Sequence, residues 1–193
     1  MKTETVADGL ARLYELIDDI EVAMMTTRRR DGSLVSRPMA TQRRAPGAHL
    51  WFVAEEGSPK LDEIVVDPNI NLAYYKDRTR EWVSVSGAAR VCRDRRQIRE
   101  LWATDWKIWF PNEGDERDGG PDDPRIVLIG VEARSAHFLK LEKPAPVVLF
   151  ERLSAAVRGV RPEPGRVERV GSEALRARSV PPPPINGRDS NPS

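Results

Sequence analysis

At 193 residues, 39% hydrophobic and 32% charged with a net charge of +1, the chain has room for one soluble domain and carries no bulk charge to attract nucleic acid. No apolar run approaches the ~20 residues that span a bilayer, and Met1 to Ile20 has acidic residues and helical periodicity in place of a signal core, which points to the cytoplasm. A single cysteine, Cys92, and two histidines, His49 and His137, argue against a disulfide framework or a thiolate- or histidine-rich metal centre.

In chain order, Val6, Leu10, Leu13, Ile17 and Ile20 recur at helical spacing and predict an amphipathic helix. Asp18, Asp19 and Glu21 oppose the helix dipole and mark its end. Val22 to Thr27 reads as a strand, Asp31-Gly32 as a hairpin turn, and Leu34 to Thr41 as the return strand. Pro38 lacks an N–H, so that strand needs an edge, a bulge or a break there. A break would open a slot where the edge of a planar ligand meets free backbone groups. Leu50 to Glu55 is a third strand. Ser58 as N-cap and Pro59 at the first helical position open a short helix, which Asp67-Pro68 stops. Asn69 to Tyr75 and Glu81 to Cys92 are further strands, the latter with a bulge expected at Gly87.

Arg93 to Phe110 reads as a helix, with Trp102, Trp106 and Trp109 on one face. The acidic loop Pro111 to Pro124 lacks calcium-loop spacing. Ile126 to Val131 and His137 to Leu141 are expected as the last strands. The reading is a mainly β (α+β) chain: a six- to seven-stranded antiparallel barrel with short flanking helices. From 151 to 193 the chain has eight arginines, five acidic residues, seven of the 16 prolines and no aromatic residue. Such a composition does not sustain a core. The expected division is therefore a domain over 1–150 and an Arg/Pro-rich tail over 151–193, a frayed helix at most to 165 and disorder beyond.

The chemistry concentrates at the start of the Ser58 helix. Free N–H groups and the dipole favour an anion there; Ser58 offers a hydroxyl and Lys60 an ammonium, while Arg37 adds a fork matched to paired phosphate oxygens. The alternative is an ordinary capped helix with a solvated lysine. For Trp106 and Trp109, core packing and stacking on an aromatic cofactor compete. No acid–base or nucleophilic constellation stands out.

SRPM in the second strand, LWFVAEEGSPKLDEI, WVSVSGAARVCRD, LWATDWKIWFPNEG and GPDDPRIVLIGVEA, in that order, resemble the general stress protein branch of the pyridoxamine 5′-phosphate oxidase-like family over roughly residues 5–145. The resemblance implies an FMN-binding split β-barrel that forms a homodimer with FMN at the subunit interface. It implies that Arg37 and Lys60 hold the FMN phosphate with Ser58 assisting, and that Pro38, Met39, Val53 and Ala54 line the isoalloxazine ring. Trp82 matches a position near the cofactor, and Trp106, Trp109 and Phe110 would form a cap contributed by the other subunit. The arginine and histidine with which the true oxidases grip pyridoxal phosphate have no counterpart here. The expected function is that of an FMN-dependent oxidoreductase with a small-molecule electron donor or acceptor, the flavin carrying the electrons. A non-catalytic flavin-binding or stress-related protein, and a split-barrel binder of haem or a deazaflavin, are the alternatives.

Overall fold

Strict alternation of buried and exposed side chains, as in Val22–Arg28 and Asn69–Lys76, builds half-buried strands with one face on a core. The computed structural model of the chain describes residues 6–141 and 167–176. Helix α1 (Val6–Ile20) leads into the hairpin β1 (Val22–Arg28) and β2 (Leu34–Ala40). Strand β3 (Leu50–Glu55), helix α2 (Pro59–Val66) and strands β4 (Asn69–Lys76) and β5 (Glu81–Cys92) follow. Then come α3 (Arg95–Leu101), a 3-10 turn (Thr104–Ile108), β6 (Ile126–Leu139), β7 (Val167–Val170) and α4 (Ser172–Arg176). None of the described helices is long and apolar enough to cross a membrane.

The seven strands among the described residues form one antiparallel sheet in the order β2-β1-β4-β5-β6-β3, with β7 added to β6. The sheet curls until its two ends, β2 and β3, face each other, but they meet at a single bridge between Thr41 and Phe52. It is a split barrel, not a closed one. Had the ladder continued from that bridge, Ala40, Met39 and Pro38 would oppose Val53, Ala54 and Glu55. Pro38 has no N–H to donate, and it sits on the edge strand, as the sequence predicts. The strands splay apart along those residues.

Two cores flank the sheet. Leu13, Leu16 and Ile17 of α1 pack with Met25, Phe52, Leu72, Val85 and Phe138 inside the curl. Trp51, Ile98, Leu101, Trp106, Phe110, Ile126 and Leu128 form a second cluster. Burial on both sides explains why β3 reads as the unbroken apolar run LWFVA. The acids at the end of α1 that oppose its dipole are balanced across the chain: Asp18 accepts from Arg44 at 2.5 and 2.6 Å, and Asp19 pairs with Lys76.

Three expectations are corrected. The predicted helix from Arg93 to Phe110 is two pieces. Trp102 caps α3 with an extended backbone (φ −52°, ψ 137°), so the three tryptophans do not share a face. The two last strands are one continuous β6. A register shift opposite Gly87 absorbs the extra residue Arg134, and a Cβ on Gly87 would lie 2.4 Å from the Glu132 carbonyl oxygen. The bulge expected in β5 at Gly87 lies on the facing strand, at Arg134 of β6, with Gly87 opposite it, and it is what lets β6 run on.

The third correction concerns the tail. Within the stretch expected to be disordered, β7 pairs with Ala136–Leu139, and Val170 and Leu175 are buried in the main core. Arg12 donates to Glu168 at 2.5 and 3.1 Å, and buried His49 Nε2 lies 2.9 Å from the Leu175 carbonyl oxygen. Ala133 N–H donates to His49 Nδ1 at 3.2 Å; with Nδ1 accepting, Nε2 carries the proton and donates to Leu175. The same Nδ1 is 2.9 Å from Glu132 Oε2. The rest of the predicted tail, 151–166 and 177–193, lies outside the described residues.

The loop between the 3-10 turn and β6 is fastened from within. Fully buried Asp123 accepts from the Gly119 N–H (2.8 Å) and from Arg125 through its backbone N–H (2.9 Å) and guanidinium (2.7 Å). Arg125 also donates to the Pro111 and Arg117 carbonyls, at 2.9 and 3.1 Å. Gly119 has φ +72°, and a Cβ there would fall 2.1 Å from the Phe110 carbonyl oxygen, so only glycine fits this turn. Burial alone would raise the Asp123 carboxyl, but the hydrogen bonds from Arg125 and Gly119 outweigh it and hold it below the usual range.

Two outcomes are expected. A chain ending at residue 166 loses the burial of Val170 and Leu175, about 3–6 kcal/mol, and should melt roughly 10–20 °C lower than the full chain in a thermal scan. Asp123→Asn should lower the Tm at pH 7 by weakening the charge-assisted bonds from Arg125, which keeps Glu113 as its remaining anionic partner. A carboxylate with a depressed folded pKa stabilises fully above its unfolded value of about 3.9 and loses that contribution as pH falls through the folded value. The Tm gap between wild type and Asp123→Asn should therefore be widest near pH 7 and narrow below about pH 4.

Candidate functional site

Where β2 and β3 separate, a cavity of ≈ 260 Å³ opens, lined by Pro38, Met39 and Ala40 from one edge and Val53, Ala54 and Glu55 from the other. Lys60 stands at one end, and Trp109 and Phe110 cover a side. The lining follows from the topology: these six strand residues are the ones whose ladder is missing, so their edges face the opening and not another strand.

Helix α2 starts at that opening. Pro59 occupies its first turn and Ser58 is its N-cap residue, yet the Ser58 side chain makes no capping bond. Its Oγ is buried with no hydrogen-bond partner among the described residues. A buried hydroxyl left without a partner costs about 1–3 kcal/mol, so this atom marks a place built to meet something else. Lys60, half-buried in the first helical turn, has no hydrogen bond or ion pair among the described residues. Burial first, and the charge of Arg37 second, hold its ammonium below the usual lysine range, while Glu55 and Glu63 pull the other way.

Arg37 lies behind this helix on β2, its side chain 19% exposed. It donates through one terminal nitrogen to Thr27 Oγ1 (2.5 Å) and through the other to Glu63 Oε2 (2.7 Å). Glu63 is buried on α2, one turn after Lys60, and also accepts from Thr27 Oγ1 at 2.5 Å and Arg29 Nε at 3.3 Å. Burial would raise the Glu63 carboxyl, but the hydrogen bonds from Thr27 and Arg37, with the charge of Arg37, keep it below its ordinary range. The carboxylate is therefore ionised, and Arg37 is an internally paired cation near one that has no partner among the described residues.

The structure thus brings Pro38, Met39, Val53, Ala54, Lys60, Trp109 and Phe110 to one cavity; Ser58 and Arg37 are not part of its lining. Two predicted positions lie elsewhere. Trp106 is 1% exposed, locked in the second core with Nε1 donating to Gln42 Oε1 at 2.8 Å. Trp82 lies on the outer face of the sheet opposite Tyr75 and Leu139. Trp109 and Phe110, expected from a second subunit, line the cavity of their own chain, because the Asp123–Arg125 fastening folds their segment back over β2 and β3. Sequence reading passed over Ala40 and Glu55, which extend the two lining edges by one residue each. It also passed over Glu63, whose only local signal is an acid three residues after Lys60, a spacing that suggests a surface ion pair. The real partner is Arg37.

The arrangement offers an apolar slot with exposed strand edges, an aromatic wall and an anion-seeking helix start. A planar heteroaromatic ligand with a phosphate fits that chemistry: Ser58 and Lys60 would take the phosphate, and the slot the ring.

Comparison with known proteins agrees with the fold. The family model for pyridoxamine 5′-phosphate oxidase-like proteins matches residues 8–163, well past residue 145. Protein bli-3 of Neurospora crassa is 39% identical over 119 residues, which cover 60% of this chain and 57% of that protein; the match thus spans little more than half the length of that relative. A candidate general stress protein 26 of Jannaschia sp. CCS1 superposes with a TM-score of 0.66 at 23% identity, over 86% of this chain and 99% of the other. The general stress FMN/FAD binding protein of Xanthomonas citri does so with a TM-score of 0.56 at 20% identity, over 69% and 89%. With its split barrel and a family match over most of its length, the chain belongs to the pyridoxamine 5′-phosphate oxidase-like family.

Proposed function

We propose that the chain is an FMN-binding flavoprotein acting as an oxidoreductase on a small-molecule electron donor or acceptor. The observation that carries this is Lys60, with no partner among the described residues, lining an apolar slot walled by Trp109 and Phe110, at the start of a helix whose N-cap Ser58 Oγ is buried without a partner among them. The flavin-binding protein of Xanthomonas citri with the same fold supports it. In this reading Ser58 and Lys60 hold the phosphate, with Arg37 behind them. Met39, Val53 and Ala54 contact the ring, and the unpaired edges of β2 and β3 meet its polar rim. The bound flavin supplies the redox chemistry; the chain positions it and keeps water from its buried side.

The site is half of an assembly in this proposal. At ≈ 260 Å³ the cavity falls short of the ~300–1,000 Å³ usual for ligand sites, and Trp109 is 75% exposed at its rim. The outer face of the sheet beside it is apolar or small: Pro38, Met24 and Ala73 form one row across β2, β1 and β4, and Tyr75 faces Trp82 next to it. A second copy docked on that face would close the slot and bring Trp82 within reach of its partner's site.

A second reading, flavin binding without turnover, draws on the lining itself. Among the described residues it has no histidine, cysteine or tyrosine to move a proton, only Glu55 and Lys60.

The tests are direct. Flavin-stripped full chain should quench FMN fluorescence on titration, and Lys60→Ala should weaken FMN by about tenfold or more with a much smaller effect on riboflavin; equal losses for both would remove Lys60 from the phosphate. Anaerobic bleaching of the holoprotein by NADH or NADPH, followed by reoxidation, separates turnover from storage. Light scattering should give twice the 21.7 kDa chain mass, and Met24→Glu should return it to a monomer that binds FMN more weakly.

A further inference from the structure

Of the charged clusters outside the cavity lining, the one around Glu63 has a feature that simple phosphate binding does not call for. An anion site gains from uncompensated cations, yet here a buried carboxylate already holds one of the two. Glu63 takes Arg37 at 2.7 Å and shares Thr27 with it, Thr27 accepting from Arg37 and donating to Glu63, both at 2.5 Å. Arg29, half-exposed, partly offsets the same carboxylate from the other side at 3.3 Å. Lys60 feels Arg37, Glu55 and Glu63 together. The two cations at the start of α2 therefore face two anions supplied by the protein.

We propose that Glu63 is an affinity- and specificity-setting residue, an internal anion that competes with the ligand phosphate for Arg37 and weakens the grip on phosphorylated flavin. The inference rests on the flavin-phosphate reading of the site and deepens it. Two effects of Glu63 oppose each other. As an acceptor it orients the Arg37 fork, which favours binding; as a charge it repels the phosphate and occupies a guanidinium nitrogen. Replacing it by glutamine separates them. The amide oxygen still accepts from Arg37, and Thr27 still holds the other guanidinium nitrogen, so orientation is largely kept while the charge is gone. In a half-buried site a full charge outweighs a small loosening of one side chain. The net sign is thus a tighter phosphate site without Glu63. Riboflavin, which has the same ring and no phosphate, should be indifferent.

The experiment titrates flavin-stripped wild type and Glu63→Gln with FMN and with riboflavin at one salt concentration. Glu63→Gln should tighten FMN by about fivefold or more while riboflavin stays within about twofold. An FMN affinity that is unchanged or weaker in a folded Glu63→Gln chain overturns the inference and leaves the flavin site standing. If neither flavin binds wild type, the underlying reading fails and this inference with it. If Glu63→Gln does not fold, as judged by circular dichroism, exposed Arg29→Ala decides. Removing that counter-charge lets Glu63 act in full, so FMN should weaken by about threefold with riboflavin unchanged, and an unchanged FMN affinity overturns the proposal.

Discussion

The molecule depends on a hydrogen-bond ladder that stops. Strands β2 and β3 approach in register at Thr41 and Phe52 and then part, with Pro38 unable to donate on the side where the next bonds would form. An open sheet edge is ordinarily a liability, because unpaired backbone groups invite another chain. Here the two edges form a slot. The fold around the slot keeps it open without collapse: Phe52 and Ala54 are anchored in the main core and Trp51 in the second, so β3 cannot roll across to meet β2.

Helix α2 converts that slot into a site with a charged end. Ser58 and Pro59 fix where the helix begins, and Leu61 and Ile64, both buried, fix how it sits. Lys60 and Glu63 are placed by the same turn but have different fates. Lys60 lines the cavity with no partner among the described residues, and Glu63 turns back to Arg37 and Thr27. The α2 end is therefore an electrostatic balance set inside the protein. The Asp123–Arg125 fastening does the corresponding work for the aromatic wall by holding the segment of Trp109 and Phe110 over the slot.

What was legible in the sequence was local. Pro38 in a strand, Ser-Pro at a helix start and Asp-Gly in a hairpin each act through their own backbone, and each appears where expected; the bulge expected at Gly87 falls on the strand facing it. Most residues that line the slot were legible through the order of motifs. What was not legible depended on distant partners. The helix expected from Arg93 to Phe110 breaks at Trp102 because its indole reaches the Gly119 carbonyl at 3.1 Å, while Trp106 turns into the core toward Gln42. Arg37 looked free because Glu63 is 26 residues away. The segment Val167–Arg176 is short and charged; composition averaged over the tail hides that two apolar residues, Val170 and Leu175, suffice to seat it when β6 offers an edge.

That seating has a consequence for how the chain acquires its structure. Strand β6 bonds β3 through Ile126–Val131 and β7 through Ala136–Leu139, and His49, just before β3, reaches Leu175 across 126 residues of sequence. Contacts of such separation must bear a large loop-closure entropy before they return any energy, which slows folding. The hairpin β1–β2 and the β4–β5 pair can form early from nearby residues. The strand that carries one wall of the slot is clamped late, when the far end of the chain arrives. During synthesis the slot would therefore be among the last features to become rigid, and a ligand entering it would meet a nearly complete protein.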